Sequence, residues 1–212
     1  MSQGKSWDAY AGRKQLPKKR KKNAPQSACG IIHTLERVAR LMRSAEFELG
    51  LNPAQWEALR YVARANRFSN SPIALTKFLG ATKGTISQTL IALERKGLIT
   101  KSKREGERRS IALGITDEGT EFLMQDPWRQ LVCVASDFKP KQIDTLGKTT
   151  GKLLKSELDK RQLPSFGVCQ TCRFFREKGA SKKIEGPHFC LLFEQGLSKK
   201  EIKKICCEHE VS

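Results

Sequence analysis

Residues 71–119 read SPIALTKFLGATKGTISQTLIALERKGLITKSKREGERRSIALGITDEG, and this stretch decides the fold. It contains two helix-start signals, Ser71 before Pro72 and then Thr82, each followed by regularly spaced apolar residues. The signals predict a short helix and, after a tight turn, a longer helix over residues 83–96. Two helices joined in this way predict a helix-turn-helix.

A β-hairpin is predicted directly after the longer helix. Gly97 ends that helix, and the segments 98–101 and 110–113 have the short apolar pattern of strands. The hairpin tip is predicted to be dense in cations, namely Lys101, Lys103, Arg104, Arg108 and Arg109. The predicted fold class is therefore mainly α, a winged helix-turn-helix with a small β-hairpin wing, plus a small cysteine-rich module at the C-terminus.

The polar face of the longer helix indicates a nucleic-acid partner. A helix that lies in the major groove of DNA turns short hydrogen-bonding side chains toward the base edges. Here that face offers Lys83, Thr85, Ser87 and Gln88, and Arg95 near the helix end suits a phosphate. Cations on a hairpin can reach an adjacent minor groove, where the potential is most negative. We therefore expect double-stranded DNA as the partner, and an ordinary polar surface helix is the alternative.

The residues around the hairpin resemble the MarR family of bacterial transcriptional regulators. The matching stretches are LERKGLI at 93–99 and ERRSIALGITDEG at 107–119. The family's wing has Asp-x-Arg, then Leu-Thr and a later glycine, and the corresponding residues here are Glu107, Arg109, Ile115, Thr116 and Gly119. The resemblance implies that Arg109 enters a minor groove. Glu107 departs from the family's Asp, which adds a methylene to the ion pair that braces the wing.

The resemblance covers about residues 28–161 and implies a homodimer whose first and last helices intertwine. Apolar stripes in residues 28–49 and 139–163 supply the two surfaces that such a dimer needs. The alternative is that both stripes pack within one chain. The resemblance also implies transcription regulation, with repression as the expected sign, and no enzymatic activity. We find no His/Ser/Asp or paired-carboxylate constellation, and the chain has three histidines.

Four cysteines near the C-terminus predict a metal site. Cys169 and Cys172 form a Cys-x-x-Cys pair, 17 residues separate Cys172 from Cys190, and 15 separate Cys190 from Cys206. Two thiolates from one turn and two from a distance can surround one metal. A small module with few large apolar residues also needs such a staple. Unligated cysteines are the alternative.

The occupant of this site is open between a zinc ion and an iron–sulfur cluster. Some MarR-like chains carry a comparable cysteine extension, and the similarity favours Cys206 over Cys207 as the fourth ligand. We expect His188 and His209 to lie beside the ligands or on the surface. A metal site next to a DNA reader suggests a regulator that responds to metal or redox state, or to a small-molecule effector.

Composition places these parts in a strongly basic chain. The formal net charge is +18, and residues 1–26 carry +7 of it with few large apolar residues. We predict a disordered basic tail over 1–26, a MarR-like DNA-binding and dimerisation domain over 27–163, and a cysteine-rich metal-binding module over 164–212. No apolar run approaches the roughly 18–20 residues of a membrane span, so we expect no membrane partner and a cytoplasmic location.

Overall fold

The computed structural model describes residues 27–103, 110–179 and 186–211, apart from the side chain of Glu48. The predicted basic tail and most of the predicted wing tip, residues 104–109, lie outside these ranges. Within them, none of the helices combines the length and the apolar character needed to cross a membrane.

The described chain is mainly helical, with two small antiparallel sheets. The helices are α1 Ala28–Glu48, α2 Pro53–Arg64, α3 Pro72–Leu79, α4 Lys83–Arg95, α5 Asp117–Leu123, α6 Trp128–Ser136 and α7 Pro140–Lys160. The first sheet pairs β1 Ile99–Lys103 with β2 Ile111–Ile115. The second pairs β3 Phe175–Arg176, β4 His188–Cys190 and β5 Gln195–Leu197 in that order. The predicted fold class, mostly helical with a winged helix-turn-helix, is confirmed.

Local sequence explains where the central helices begin and end. At the start of α2, the Asn52 side chain accepts from the Gln55 N–H at 2.9 Å while the Gln55 side chain accepts from the Asn52 N–H at 3.1 Å. Ser71 and Thr82 cap α3 and α4 in the same sense, each accepting a backbone N–H three residues on. Gly80, with φ +60°, ends α3 in the left-handed region that favours glycine.

The core lies between α2, α3, α4 and the first sheet. Large side chains at its centre are almost fully buried, among them Trp56, Leu59, Leu75, Leu90 and Leu93. In the sheet, Ile99 faces Ile115 and Lys103 faces Ile111. Both strands thus end two residues later than the sequence predicted, because Lys103 of β1 still pairs with Ile111 and Ile115 of β2 pairs with Ile99 at the base of the hairpin.

A buried polar cluster joins the end of α1 to α2 and α6. Glu46 is 2% exposed, and its carboxylate lies 2.6 Å from Arg60 and accepts from the Trp128 indole N–H at 2.9 Å. Arg60 also pairs with Asp126 at 2.7 Å. These bonds pair the buried charge of Glu46. Replacing one member of the cluster would therefore leave a buried charge without its partner.

Helices α6 and α7 bury none of their described residues within the chain. Cys133 lies among apolar residues in the sequence, yet it is exposed on α6. The reason is that the apolar side chains of these helices point outward. The large exposed ones are Val132, Val134, Phe138, Ile143, Leu146, Leu153 and Leu154.

Candidate DNA-reading surface and cysteine site

Helix α4 has one buried face and one exposed polar face. Ile86, Leu90 and Leu93 point into the core, at the four- and three-residue spacing that repeats along one side of a helix. The predicted base-reading residues lie on the other side and are all exposed, namely Lys83, Thr85, Ser87 and Gln88. Thr85 is partly engaged, since its hydroxyl lies 2.9 Å from that of the Thr82 cap. The face is therefore free to meet a ligand.

A groove of about 260 Å³ lies beside this face, between α3, α4 and the first sheet. Pro72 and Ile73 form its α3 side, and Ile111 lies on its strand side. Lys83 and Ser87 of α4 form part of the wall. The groove thus combines apolar walls with a cation and a hydroxyl, which suits a partner with both apolar and hydrogen-bonding edges.

The predicted hairpin cations fall in different places. Lys101 is not at the tip: it lies in the middle of β1 opposite Leu113, and its ammonium group is 2.7 Å from the Glu94 carboxylate. Lys101 lies within the strand because β1 continues for two more residues, to Lys103. The Glu94 carboxylate partly neutralises its charge. Lys103, at the strand end, and Arg95, at the end of α4, are exposed. The remaining predicted wing cations, Arg104, Arg108 and Arg109, lie outside the described residues.

The base of the wing is fixed to the end of α4 by Thr116 and Gly119. The Thr116 hydroxyl donates to the Gly97 carbonyl at 2.7 Å and accepts from the Gly119 N–H at 2.9 Å. A side chain at position 119 would collide with the Leu98 carbonyl oxygen. These contacts explain physically why this position of the motif needs a glycine, and they join the base of the wing to the end of α4.

The four predicted metal ligands line a single cavity. Cys169 and Cys172 flank a 3₁₀ turn closed by the Cys172 N–H donating to the Cys169 carbonyl at 2.9 Å. Cys190 ends β4, and Cys206 pairs with the backbone of Gly167. The cavity measures about 20 Å³, and its remaining walls are mostly apolar, with Phe68, Val168, Phe174, Phe175, Leu192, Phe193 and Leu197.

The surroundings of Cys169 disfavour its thiolate form. Burial, together with the neighbouring Cys206, Cys190 and Cys172, raises the pKa of the Cys169 thiol to about 12. Without a positive ion, the thiol would stay protonated at neutral pH. Among the residues that the structure describes, no three His, Cys, Asp or Glu side chains take the arrangement of a metal-holding group. The four thiols thus share one cavity without converging on one point.

Cys206 and its neighbour Cys207 lie on opposite sides of their segment. Cys206 faces the cavity, whereas Cys207 packs against the main core. The Cys207 backbone N–H donates to the Ser69 hydroxyl at 2.8 Å, and its thiol lies 3.4 Å from the Glu208 carboxylate. The pKa of the Cys207 thiol is raised, mainly by burial. The geometry therefore groups Cys206, and not Cys207, with the other three cysteines.

Two histidines of the module are buried, and sequence reasoning did not separate them. His188 is 7% exposed, and its Nδ1 accepts from the Lys178 N–H at 3.4 Å. His209 is 8% exposed and lines the cysteine cavity. In the sequence, His188 lies two residues before Cys190, which makes it the more conspicuous of the two histidines. The structure places His209, and not His188, in the lining of the cavity.

The segment between α2 and α3 carries the cysteine module on its backbone. Ala65 pairs with Ile205, whose N–H donates to the Arg64 carbonyl at 2.8 Å. The Asn66 N–H donates back to the Ile205 carbonyl at 3.0 Å. Ile205 itself is 6% exposed and belongs to the core that contains Trp56. The module is thus joined to the winged helix by backbone pairing and by a shared core.

Side chains of the same segment reach into the module. Arg67 pairs with Glu201 at 2.6 Å and donates to the Gly196 carbonyl at 2.6 Å. Phe68 stacks on Phe193 with ring centroids 4.0 Å apart. Asn66 and Phe68 also line the cysteine cavity. Residues 65–69 are therefore a direct contact between the cysteine site and the start of the helix-turn-helix.

The following residues connect this segment to the wing. The Tyr61 hydroxyl donates to the Ser69 carbonyl at 2.6 Å, and burial raises the pKa of Tyr61. The Asn70 side chain donates to the Leu113 carbonyl at 3.2 Å, and the Leu113 N–H donates to the Asn70 carbonyl at 2.7 Å. A displacement of this segment would therefore move both the N-cap of α3, Ser71, and strand β2.

Comparison with known proteins gives a family match over the centre of the chain and a shared fold. The MarR family model matches residues 51–111. Among solved structures, a mutant MepR from a multidrug-resistant clinical isolate of S. aureus covers 61% of this chain and 96% of its own, at 17% identity and a TM-score of 0.50. No curated protein matches the chain.

Two further structures are similar with lower TM-scores. The S. aureus MepR–DNA complex has 18% identity over 59% of this chain and 96% of its own, with a TM-score of 0.48. MarR from E. coli in its apo form has 18% identity over 62% of this chain and 99% of its own, with a TM-score of 0.45.

The matched segment runs from the residues before α2 to the first residue of β2, so it contains the whole helix-turn-helix and the first wing strand. The matched family is one of transcription regulators and not of enzymes. Residues 51–111 of this chain match the MarR family in sequence, within a winged-helix fold that the chain shares with S. aureus MepR.

Proposed function

We propose that this protein is a sequence-specific double-stranded DNA-binding regulator of transcription, acting as a repressor. One observation carries the proposal: the exposed polar face of α4 lies within the segment that matches the MarR family. The net charge of +18 favours the same partner, since each neutralised phosphate releases counterions.

We assign separate roles to the two parts of the interface. Ser87 and Gln88 reach base edges in the major groove, with Lys83 and Thr85 at the start of the helix. Arg95 and Lys103 contact phosphates, and Lys101 supports them from the groove wall. The cations beyond the described strands, Arg104, Arg108 and Arg109, are assigned to the flanking backbone and minor groove from the sequence alone.

Arg109→Ala is expected to weaken binding to a preferred duplex by about 1–3 kcal/mol, or roughly 5- to 150-fold. An arginine in a narrow minor groove gains from the negative potential there, and alanine loses that gain. A fluorescence-anisotropy titration measures the change, with Arg161→Ala, exposed at the end of α7, as the control. Equal affinities for Arg109→Ala and wild type would remove Arg109 from the interface.

We further propose a homodimer built on the first and last helices, as the sequence predicted, with exposed apolar side chains on α1 and on α6 and α7. No residue of α6 or α7 is fully buried within the chain, and Leu154, which is 61% exposed, lies on the longer of them. A paired chain would cover these side chains and place two α4 helices on neighbouring half-sites. A small-molecule effector could act on such a dimer, as it would on any two-state reader.

Leu154→Glu is expected to raise the dimer dissociation constant at least about tenfold, because it places an unpaired charge in the interface. Sedimentation velocity measures it: wild type should run at twice 23.9 kDa, and Leu154→Glu should shift toward 23.9 kDa. Lys152→Glu, exposed on the same helix, should leave the dimer unchanged. A wild-type protein that sediments as a monomer contradicts the dimer.

The four cysteines of the cavity are proposed to hold a metal centre, either a zinc ion or an iron–sulfur cluster. A volume of about 20 Å³ has room for one ion, and zinc would draw the thiolates in to Zn–S distances of about 2.3 Å. An iron–sulfur cluster would instead suit thiols that remain apart, because each thiolate can bind a different iron of the cluster. Elemental analysis and an ultraviolet–visible spectrum of anaerobically purified protein distinguish a brown iron protein from a colourless zinc protein.

Metal or redox state is proposed to regulate DNA binding through residues 65–70. Cys206 belongs to the cavity while the next N–H, that of Cys207, is bonded to Ser69. Loss of the centre would free this segment, and with it the N-cap of α3 and the contact to Leu113 on β2. Coupling between two sites of this kind typically changes affinity by about 5- to 150-fold.

The competing function is a winged-helix protein-interaction module with a structural zinc site. Its distinguishing property is the response to salt. A DNA reader that neutralises several phosphates loses affinity steeply as salt rises, whereas a protein-docking face does not bind DNA at all or binds it with little salt dependence. A titration of duplex binding between low and physiological salt separates the two functions.

A further inference from the structure

His209 packs into the wall of the cysteine cavity, where Gly167 leaves room for its ring. A Cβ atom on Gly167 would lie 2.5 Å from the His209 ring, so only glycine leaves room for it. The same Gly167 pairs with Cys206, whose N–H donates to the Gly167 carbonyl at 2.8 Å. Farther along, Val211 pairs with Cys172. Along the chain, His209 thus lies between two residues, Cys206 and Val211, that are paired with other parts of the module, and each of these pairs includes a cysteine of the site.

One ring nitrogen of His209 is partnered and the other is not. Nε2 is 3.0 Å from the hydroxyl of Thr171, inside the Cys169–Cys172 turn. That hydroxyl is 3.2 Å from the Val168 carbonyl, so its proton has the nearer acceptor at Nε2. Nδ1 is buried and has no hydrogen-bond partner in the described part of the chain. A buried nitrogen in this state needs a partner that the protein itself does not supply.

The cavity leaves few candidates for that partner. Its walls are mostly apolar, and the polar side chains besides the cysteines and His209 itself are Asn66 and Glu208. The Asn66 side-chain oxygen accepts from the Phe68 N–H at 3.1 Å, and the Glu208 carboxylate accepts from the Cys207 thiol. No hydrogen bond joins either side chain to Nδ1, so the four cysteine sulfurs, or the group that they hold, are the other polar groups of the cavity wall that can serve as its partner.

We propose that His209 is a positioning residue of the metal centre: its Nδ1–H donates a hydrogen bond to a metal-bound sulfur, and the Thr171 hydroxyl donates to Nε2 to hold the ring. The inference rests on the proposed metal centre. Four thiolates already fill the protein positions of a tetrahedral zinc ion or of a common iron–sulfur cluster. The nitrogen therefore meets sulfur, where an N–H donor offsets the negative charge of the thiolates.

The test follows the rate at which full-length protein loses its metal to an excess of chelator, with a colorimetric reagent for zinc or for iron. His209→Phe keeps the ring and removes both nitrogens, and we expect it to lose metal about 10- to 100-fold faster than wild type. His209→Asn offers an amide N–H near the place of Nδ1 and should stay within about threefold of wild type. Thr171→Val should fall between them, and His33→Asn, an exposed histidine on α1, should match wild type.

The outcomes separate the two levels of the proposal. Wild-type loss rates in a folded, metal-loaded His209→Phe protein would overturn the role of His209 and leave the centre standing. If neither His209→Phe nor His209→Asn loads metal, as for a cysteine variant, His209 is a ligand, which also overturns the donor role. Wild-type protein that contains no metal overturns the centre and this inference together. Circular dichroism shows whether each variant is folded. If His209→Phe does not fold, the rate of metal loss from Thr171→Val tests the same hydrogen bonds.

Discussion

The Cys172→Ser protein is expected to be purified without a stoichiometric metal and to lose the fold of its cysteine module. Among the described residues, the module's own core has three buried members, Cys169, Leu197 and Ile202, which is too small to hold the segment alone. Structural metal binding of this kind is worth about 10–16 kcal/mol. We therefore expect rapid proteolysis within residues 165–211 and a loss of DNA affinity of about 5- to 150-fold, the size of an ordinary coupling.

A matched pair of neighbouring variants controls this result. Cys206→Ser should behave as Cys172→Ser does, because its thiol faces the cavity. Cys207→Ser should keep the metal, since its side chain packs against the main core instead. The readouts are elemental analysis, limited proteolysis and a DNA titration on all three proteins. If Cys172→Ser lacks metal yet binds DNA as wild type does, the centre is a staple or a docking site, and regulation through it is wrong.

Joint replacement of Ser87 and Gln88 by alanine is expected to cost about 2–6 kcal/mol in binding to the preferred duplex, at about 1–3 kcal/mol for each lost base contact. Both side chains are exposed on α4 while their neighbours Ile86 and Leu90 hold the helix in the core, so the fold should remain. Affinity for an unrelated duplex should change little, because phosphate contacts do not depend on these side chains.

Two charge reversals make the comparison specific. Arg95→Glu, at a residue assigned to a phosphate, should weaken binding to preferred and unrelated duplexes alike and flatten the salt dependence. Lys199→Glu makes the same change of charge on the exposed surface of the cysteine module and should have a small effect. Anisotropy titrations at two salt concentrations measure both. Should the Ser87/Gln88 double variant retain the full preference of wild type, α4 does not read the bases.

The helices of the winged domain could be predicted because their boundaries are encoded locally. Ser71 and Thr82 each accept the hydrogen bond that their positions in the sequence predicted. Gly80 and Gly97 both have the positive φ that ends a helix. The strands were displaced by up to two residues because strand ends depend on the partner: Ile115 is recruited by Ile99 across the hairpin. Lys101 was misplaced toward the tip for the same reason.

The contacts of the cysteine module could not be predicted, because they join residues far apart in sequence. Nothing in the neighbourhood of Arg67 indicates that it pairs with Glu201, and the stacking of Phe68 on Phe193 is equally remote. The choice between Cys206 and Cys207 depends on which side of an extended segment faces the cavity. His209 could not be separated from His188, since its place depends on the absence of a side chain at Gly167.

These contacts give the cysteine site a physical route to the candidate DNA-reading surface. Residues 65–69 contact the module, Ser71 caps α3, and Asn70 is bonded to Leu113 of the wing strand. The route is short, and each of its steps is a hydrogen bond or a packed side chain. A change at the cavity would therefore reach both α3 and the hairpin without passing through α6 or α7.

Selection of binding sites from a pool of random duplex DNA tests the central claim most directly. The full-length wild-type protein, loaded with its metal, is mixed with the pool, and the bound duplexes are recovered and sequenced. The account predicts an enriched inverted repeat whose half-sites lie about one helical turn, or about 10 base pairs, apart. A bound pool with the same sequence composition as the starting pool would contradict it.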